Sequence, residues 1–177
     1  QNNIIHENQF GFQKNKSTYM PLLLLQDFIT GAFEKGEYAL GLYLDIKKAF
    51  DTVNLALLLQ KLHKYGVRNA SFQMFSSYLS DRTQSVKINN TKSTLRNVSM
   101  GVPQGSILGP ILFLLYINDL PKLSSQMTCL SFADDTAILF KNSNVSDLQQ
   151  TVNALLLRVS DWFHANFLSL NVSKTYT

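Results

Sequence analysis

The chain has one cysteine, Cys129, in 177 residues, which excludes an intrachain disulfide and points to a reducing compartment. Cys129 lies in the apolar run before an acidic pair, so it reads as a small buried hydrophobe and not as a nucleophile. A basic block is also missing. The formal charge of +4 and the pI near 9.2 are dispersed along the chain, so composition leans towards an acidic partner such as nucleic acid, but only weakly. No apolar run reaches membrane length. The longest, Ile107 to Ile117, is interrupted by Gly109 and Pro110 and falls short of the ~20 residues that a bilayer requires, so no membrane partner is expected. His6, His63 and His164 show neither ligand spacing nor a partner pattern. With no initiator methionine and no secretory leader at Gln1, triplets such as Asn15-Lys16-Ser17 and Asn97-Val98-Ser99 read as chance matches to the glycosylation pattern. Repeats, linkers and low-complexity tracts are absent, and 45% of residues are hydrophobic. One compact domain with a real core is expected.

What is present alternates between helical and strand periods. Asn8 to Ser17 is polar and glycine-bearing, a loop. Ser17 or Thr18 is positioned to cap a helix from Tyr19 to about Phe33, with Pro21 in its first turn and Gly31 and Gly36 ending it. Tyr38 to Ile46 reads as a buried strand with Asp45 near its end. Asn54 caps a helix whose apolar positions run from Leu55 to Tyr65, and Gly66 stops it. Another helix spans roughly Ala70 to Leu79. Gln84 to Ile88 alternates as a strand, Asn89-Asn90 turns, and Thr94 to Val98 returns. Gly101 to Ser106 is a loop, and a hydrophobic helix follows from Leu108 to Leu120, ended by Pro121. Val145 to about Ala165 is amphipathic with Ser146 as its cap. The closing LSLNVSKTYT looks like the start of a further strand.

The stretch that carries chemistry is SFADDTAILF, Ser131 to Phe140. Asp134 and Asp135 sit between apolar runs that read as two strands of a hairpin, with the acids at the turn. Two like charges ~4 Å apart repel by about 4 kcal/mol at an effective dielectric near 20. A bound divalent cation reverses that sign, and oxygen-only ligands suit magnesium. Alone, an acidic pair reads first as a solvated turn, and a lone strand-end acid such as Asp45 is usually a turn former. If the Asp45 strand neighbours the hairpin in one sheet, the three carboxylates meet at one edge. That arrangement suits two cations ~3.5–4 Å apart and in-line phosphoryl transfer.

Taken together, LDIKKAFDTV, GVPQGSILGPILFLLYINDLP, FADD and LSLNVSKT, preceded by QFGFQKNKST, resemble the reverse transcriptase domain of LINE-type (non-LTR) retrotransposons, in particular jockey-like elements. The resemblance covers nearly the whole chain. It implies an α/β fold of the α+β kind: a polymerase palm with a small antiparallel sheet, helices packed on one face, and part of the fingers. It implies RNA-directed DNA polymerase activity on an RNA template, a DNA primer and deoxynucleotides, with two Mg2+ ions for which Mn2+ can substitute.

By the same resemblance Asp45, Asp134 and Asp135 match the metal-binding acids, and the backbone carbonyl of Ile46 is a further ligand. Phe50 matches the residue beneath the incoming sugar, where a ring leaves no room for a 2′-hydroxyl, and Ala49 packs beside it. Pro103, Gln104 and Gly105 match the loop that touches nucleotide and template. Phe132 stands at the primer end, and Lys174 matches a lysine that approaches the triphosphate. The alternative readings are core for Phe50 and Phe132, a solvated loop opening a helix for Pro103 to Gly105, and a merely solvated surface lysine for Lys174. Asp51 reads as a structural hydrogen-bonding residue. Lys14 and Lys16 stand where relatives often show arginine and lack its bidentate fork.

The family further implies an intracellular location, in the nucleus or a cytoplasmic ribonucleoprotein, and often an endonuclease domain upstream. On the family pattern, residues 1–177 are expected to be a fragment without upstream fingers motifs, primer grip and thumb, and to be inactive alone. The competing readings are a non-catalytic retroelement relic that at most binds nucleic acid, and a two-metal nuclease. The nuclease accounts for the acids but not for Phe50 with the Pro-Gln-Gly loop.

Overall fold

The computed structural model describes residues 4–176. A three-stranded antiparallel sheet lies at its centre, built from β1 (Tyr38–Leu44), β6 (Thr128–Phe132) and β7 (Asp135–Asn142) in the order β1-β7-β6. Along each strand, successive side chains point to opposite faces. Leu42, Leu44, Cys129, Ile138 and Phe140 belong to the main core, whereas Leu130 and Leu139 join Phe10 in a second cluster on the other face. The strand carrying Asp45 is less buried than its apolar sequence suggests, because Tyr43 on the second face and Tyr38 at the strand's start both stay exposed.

The main core is closed by α2 (Leu55–Lys64), α3 (Asn69–Leu79), α4 (Leu108–Ile117) and α5 (Val145–Ala165). The small antiparallel sheet with helices is the expected class. The second face is not bare, however: α1 (Tyr19–Glu34) lies over part of it, packing Leu25 and Phe28 against Leu130 and Leu139. Asn54 caps α2 as expected, accepting from the Leu57 N–H at 2.9 Å. Three local expectations are corrected. Neither Ser17 nor Thr18 caps α1 through its side chain, and Gly31 lies inside that helix, which ends before Gly36 (φ +65). The cap of α5 is Asn144, one residue before the helix, which accepts from Ser146 N–H at 2.8 Å; Ser146 is already helical. Finally, α4 stops at Ile117 and Pro121 lies within a separate 3-10 turn, Leu120–Leu123. The intervening Asn118 turns to the N-terminal segment, donating to the Ile4 carbonyl and accepting from His6 N–H, both at 2.7 Å.

The expected hairpin around Asn89-Asn90 forms, but as two interrupted ladders: β2 (Thr83–Gln84) with β5 (Arg96–Asn97), and β3 (Lys87–Ile88) with β4 (Thr91–Lys92). Almost all of it is exposed, so no face is buried to hold a continuous register. Two distant segments border the central sheet. Residues 8–10 run beside β6, with Phe10 N–H to Ser131 O at 2.7 Å and Ser131 N–H to Asn8 O at 2.9 Å. The final segment lies along β1: Tyr43 exchanges backbone bonds with Tyr176, and Ile46 bridges Leu170. The further strand anticipated there is thus a set of isolated bridges, broken by a 3-10 turn at Val172–Lys174. Among the described residues no helix is long and apolar enough to cross a membrane.

A buried cation ties α2 and α5 to the segment after α4. Lys61 donates to Tyr116 O at 2.6 Å and to Asp119 Oδ1 at 2.8 Å, and Trp162 Nε1 donates to the same carboxylate at 3.3 Å. Burial lowers the Lys61 pKa, and the hydrogen bond and charge of Asp119 work against that. Breaking one side of such a pair leaves an uncompensated buried charge. Asp119→Ala is expected to destabilise the fold by about 3 kcal/mol, the low end for a broken buried pair, because the Asp119 side chain is 43% exposed and water can partly replace it. Lys61→Met should cost less, since Asp119 can then turn to water. Urea unfolding midpoints of the two variants check this, and equal losses would assign the effect to packing.

Candidate active site

The β1–β7 ladder ends with Leu44 opposite Thr136, so the next step outward carries Asp45 on one strand and Asp135 on the other. The alternation that buries Leu42 and Leu44 turns both acids to the other face. There they line a cleft of about 370 Å3 with Phe132, Lys174 and Pro21, Leu22 and Leu25 of α1. Asp134 stands in the turn itself, between Ala133 and the first residue of β7. Ala133 has φ +60, a conformation that L-residues avoid and that this hairpin position usually gives to glycine. Such strain costs of order 1–3 kcal/mol and needs surrounding contacts to hold it.

Burial raises the Asp134 pKa above the ordinary carboxylate value, and the charges of Asp135 and Asp45 add to the rise. The two ion pairs found among the described residues, Lys61–Asp119 and Lys141–Glu37, leave all three acids out. In kind, these donors fit a hard divalent cation: anionic oxygens at one edge, mutually repelling and uncompensated. The acids share that edge without forming a ready-made cluster. Among the described residues no three His, Cys, Asp or Glu side chains are already grouped to hold an ion. The main chain adds a donor. Tyr43, Asp45 and Lys47 all bond towards the final segment, with Asn171 N–H on Asp45 O at 2.8 Å. Alternation therefore turns the Ile46 carbonyl to the opposite side, that of β7 and the acids.

The other expected site residues assemble next to this edge, on the segment after Asp45. Ala49 is buried, and Phe50 is half-buried with its ring 4.5 Å from Phe113 and 6.2 Å, edge-on, from Phe12. The Pro103-Gln104-Gly105 loop is stitched to the same segment. Val102 N–H bonds to Phe50 O and Gly101 N–H to Val53 O, both at 2.8 Å, and Gln104 Nε2 donates to Asp51 Oδ1 at 2.6 Å. A Cβ on Gly101 would stand 2.7 Å from the Asp51 carbonyl oxygen, and Gly101 has φ +81, so only glycine fits this approach. Asp51 holds the loop, in keeping with a structural part. Gln104 and Asp51 line a separate polar pocket of about 600 Å3 with Arg82 and Gln84; the structure does not bring them into the acidic cleft.

Lys174 is exposed at that cleft. Lys16 folds back onto its own segment, bonding the Glu7 carbonyl with its ammonium 4.5 Å from the Phe10 ring. Cys129 is buried and its thiol pKa is pushed up to about 11, an inert environment. The sequence reading missed Gln9, which looks like part of a solvated loop but is buried against the acidic turn. The one local signal was its place between polar Asn8 and apolar Phe10, too weak to single it out.

A family model described as reverse transcriptase (RNA-dependent DNA polymerase) matches residues 1–177. Among curated proteins, the probable RNA-directed DNA polymerase from transposon X-element of Drosophila melanogaster is 34% identical over 176 residues, covering 97% of this chain and 19% of the relative. The RNA-directed DNA polymerase from mobile element jockey of the same fly is 33% identical over 165 residues, covering 87% of this chain and 18% of the relative. The chain thus spans about a fifth of the length of these relatives. Among solved structures, telomerase from Candida albicans, in complex with a TWJ fragment of telomeric RNA, matches with a TM-score of 0.68 at 17% identity. The match covers 90% of this chain and 31% of the telomerase chain, and the likeness is one of fold.

The raised Asp134 pKa has a sign that can be tested without substrate. A carboxyl whose folded pKa lies above its unfolded value contributes stability below the unfolded pKa and loses it as pH rises through the folded one. In divalent-free buffer, Asp134→Asn should therefore gain on the parent as pH climbs from the ordinary carboxylate range to neutrality. Thermal midpoints across that range read this directly. A gap that does not change with pH, or that moves in the parent's favour as pH climbs, contradicts the assignment.

Proposed function

The chain belongs to the reverse transcriptase (RNA-dependent DNA polymerase) family, with non-LTR retrotransposon relatives, and from that premise we propose that it carries the nucleotidyl-transfer centre of an RNA-directed DNA polymerase. The observation that carries the proposal is the β1–β7 pairing, which sets Asp45 beside the Asp134–Asp135 turn on one sheet edge. The substrates are a DNA primer on an RNA template and deoxynucleoside triphosphates. The relatives, described as RNA-directed DNA polymerases, support that substrate class. Residues 1–177 supply the palm and part of the fingers.

Asp45, Asp134 and Asp135, with the Ile46 carbonyl, hold two Mg2+ ions, and Mn2+ can substitute. Such ions supply Lewis acidity: a lowered pKa at the primer 3′-hydroxyl and charge neutralisation on the triphosphate and departing pyrophosphate. The chain's residues do the positioning. The Phe50 ring, backed by Phe113, fills the space below the sugar and excludes a 2′-hydroxyl, while Ala49 keeps the floor beside it flat. The Pro103-Gln104-Gly105 loop touches the nucleotide and template: Gly101 and Gly105 allow close backbone approach, and Gln104 presents an amide donor and acceptor. Phe132 packs at the primer end. Lys174, on the cleft rim, attracts the triphosphate and can give a proton to pyrophosphate. Correct orientation alone offers ~7–11 kcal/mol of a transfer barrier.

Labelled deoxynucleotide incorporation on a primed RNA template, in a polypeptide of the relatives' length that carries this chain, is the test. Asp45→Asn, Asp134→Asn and Asp135→Asn should each lower turnover on the order of a thousandfold, since a metal centre supplies several kcal/mol, with folding retained. Wild-type rates from any of them would remove that residue from the metal set. Nucleic-acid binding without incorporation would favour a non-catalytic relic, and strand cleavage would favour a nuclease. Phe50→Val should raise ribonucleotide use relative to deoxynucleotide by roughly tenfold, the scale of a lost steric contact. Equal loss of both activities would instead show that Phe50 serves only the core.

A further inference from the structure

The turn that carries Asp134 is gripped from 124 residues upstream. Gln9 is only 5% exposed, unusual for glutamine, and it spends both ends of its carboxamide on Ala133. Its Oε1 accepts from the Ala133 N–H at 2.9 Å, and its Nε2 donates to the Ala133 carbonyl at 3.2 Å. The same Oε1 accepts from Gly11 N–H at 2.9 Å. In a two-residue hairpin these are backbone groups that the strand ladder leaves without partners. Gly11 completes the grip by lying flat on the turn: a Cβ there would stand 2.3 Å from the Ala133 nitrogen and 2.9 Å from its Cα.

We propose that Gln9 is a positioning residue for the acidic turn, its carboxamide holding both backbone polar groups of Ala133 and so fixing the direction of Asp134. The inference rests on the cation-binding reading of Asp45, Asp134 and Asp135. The turn has two reasons to relax: Ala133 is held at φ +60, and adjacent like charges push Asp134 and Asp135 apart. Relaxation by rotating the peptide before Ala133 would carry its N–H away, and rotating the one after it would carry its C=O away. The fork on Gln9 opposes both: the first rotation leaves the Ala133 N–H without a partner, although Oε1 keeps the Gly11 N–H, and the second leaves the buried Nε2 unpaired. Closing the edge of β6 does not need this side chain, since Phe10 N–H to Ser131 O and Ser131 N–H to Asn8 O are backbone bonds.

The test uses Gln9→Met, similar in length but without the amide, with Gly11→Ala as a second variant that presses on the turn from outside. Two quantities are read on the 177-residue chain: amide hydrogen exchange at Ala133, Phe10 and Ser131, and Mn2+ binding by electron paramagnetic resonance, with Asp134→Asn as the control that removes a ligand. Gln9→Met should speed exchange at Ala133 while Phe10 and Ser131 stay protected. It should also weaken Mn2+ binding about tenfold, the usual effect of losing a group that orients a metal ligand; Gly11→Ala should weaken it likewise. Unchanged Mn2+ affinity in folded Gln9→Met overturns the proposal. So does equal loss of protection at all three amides, or unfolding of both variants, since either makes Gln9 a residue of the fold alone. If the unsubstituted chain and Asp134→Asn bind Mn2+ equally poorly, the cation reading fails instead, and exchange at Ala133 still decides whether Gln9 holds the turn.

Discussion

Seven residue pairs between β1 and β7, from Tyr38–Asn142 to Leu44–Thr136, determine where the carboxylates go. A sheet has a side-chain period of two, so a slip of one residue moves every side chain to the other face. Here Leu42, Leu44, Ile138 and Phe140 are buried on the side of α4 and α5. A slipped β1 would turn Asp45 into that core and expose the leucines. Burial of apolar surface, at roughly 25 cal/mol per Å2, therefore enforces the register, and the register sets Asp45 beside Asp135. The acids contribute nothing favourable to this arrangement themselves. They stand where the ladder stops, held by interactions several residues away.

That division of labour explains why the two ends of the chain matter to a site in neither. Residues 8–11 lie along β6 and residues 169–176 along β1, so each free edge of the sheet has a neighbour. An edge strand left bare presents unpaired N–H and C=O groups. Both segments reach the acidic end: Gln9 bonds the backbone of Ala133, and the Asn171 N–H takes the carbonyl of Asp45. Strain at Ala133 and repulsion among the acids are local costs. Contacts across 124 and 126 positions in sequence, Gln9 to Ala133 and Asp45 to Asn171, offset them. Such contacts close long loops at an entropic cost, so the geometry of this edge depends on the whole fold.

The same distinction governs what could be read from sequence. The amphipathic α2 and α5 were legible because each has an apolar stripe at helical spacing, and the acidic hairpin because apolar strands flank a charged pair. The Asp45 strand was legible as a strand, but its adjacency to β7 was only a condition; nothing local in YALGLYLD names its neighbour. The Asn89-Asn90 hairpin was overread as continuous, since alternation in QSVKI suggests a buried face that the exposed ladder lacks. The cap of α5 fell to Asn144 and not Ser146 because the cap must keep an extended backbone, and Asn144 has φ −118 and ψ 126. Gln9 was illegible for a stronger reason. Its partners are the main-chain atoms of Ala133, and backbone atoms leave no trace in the identity of the residue that carries them.

Two neighbouring groups of residues must keep their relative position for the proposed chemistry. One is the sheet end with Asp45, Asp134 and Asp135. The other is the segment from Phe50 to Asn54 with the Pro-Gln-Gly loop, joined by Val102–Phe50, Gly101–Val53 and Gln104–Asp51 bonds. Covalent continuity from Asp45 to Phe50 links them on one side, but that stretch contains a reversal at Lys48, where φ is +46. On the other side the link is aromatic. Phe12, three residues after Gln9, meets Phe50 edge-on, and Phe50 rests on Phe113 of α4. The segment that grips the acidic turn thus also touches the ring proposed to select the sugar. A displacement of about 1 Å between reacting groups can cost a hundredfold in rate. The QFGF segment therefore touches both the acidic turn, through Gln9, and the Phe50 ring, through Phe12, and so couples the proposed cation site to the proposed sugar pocket.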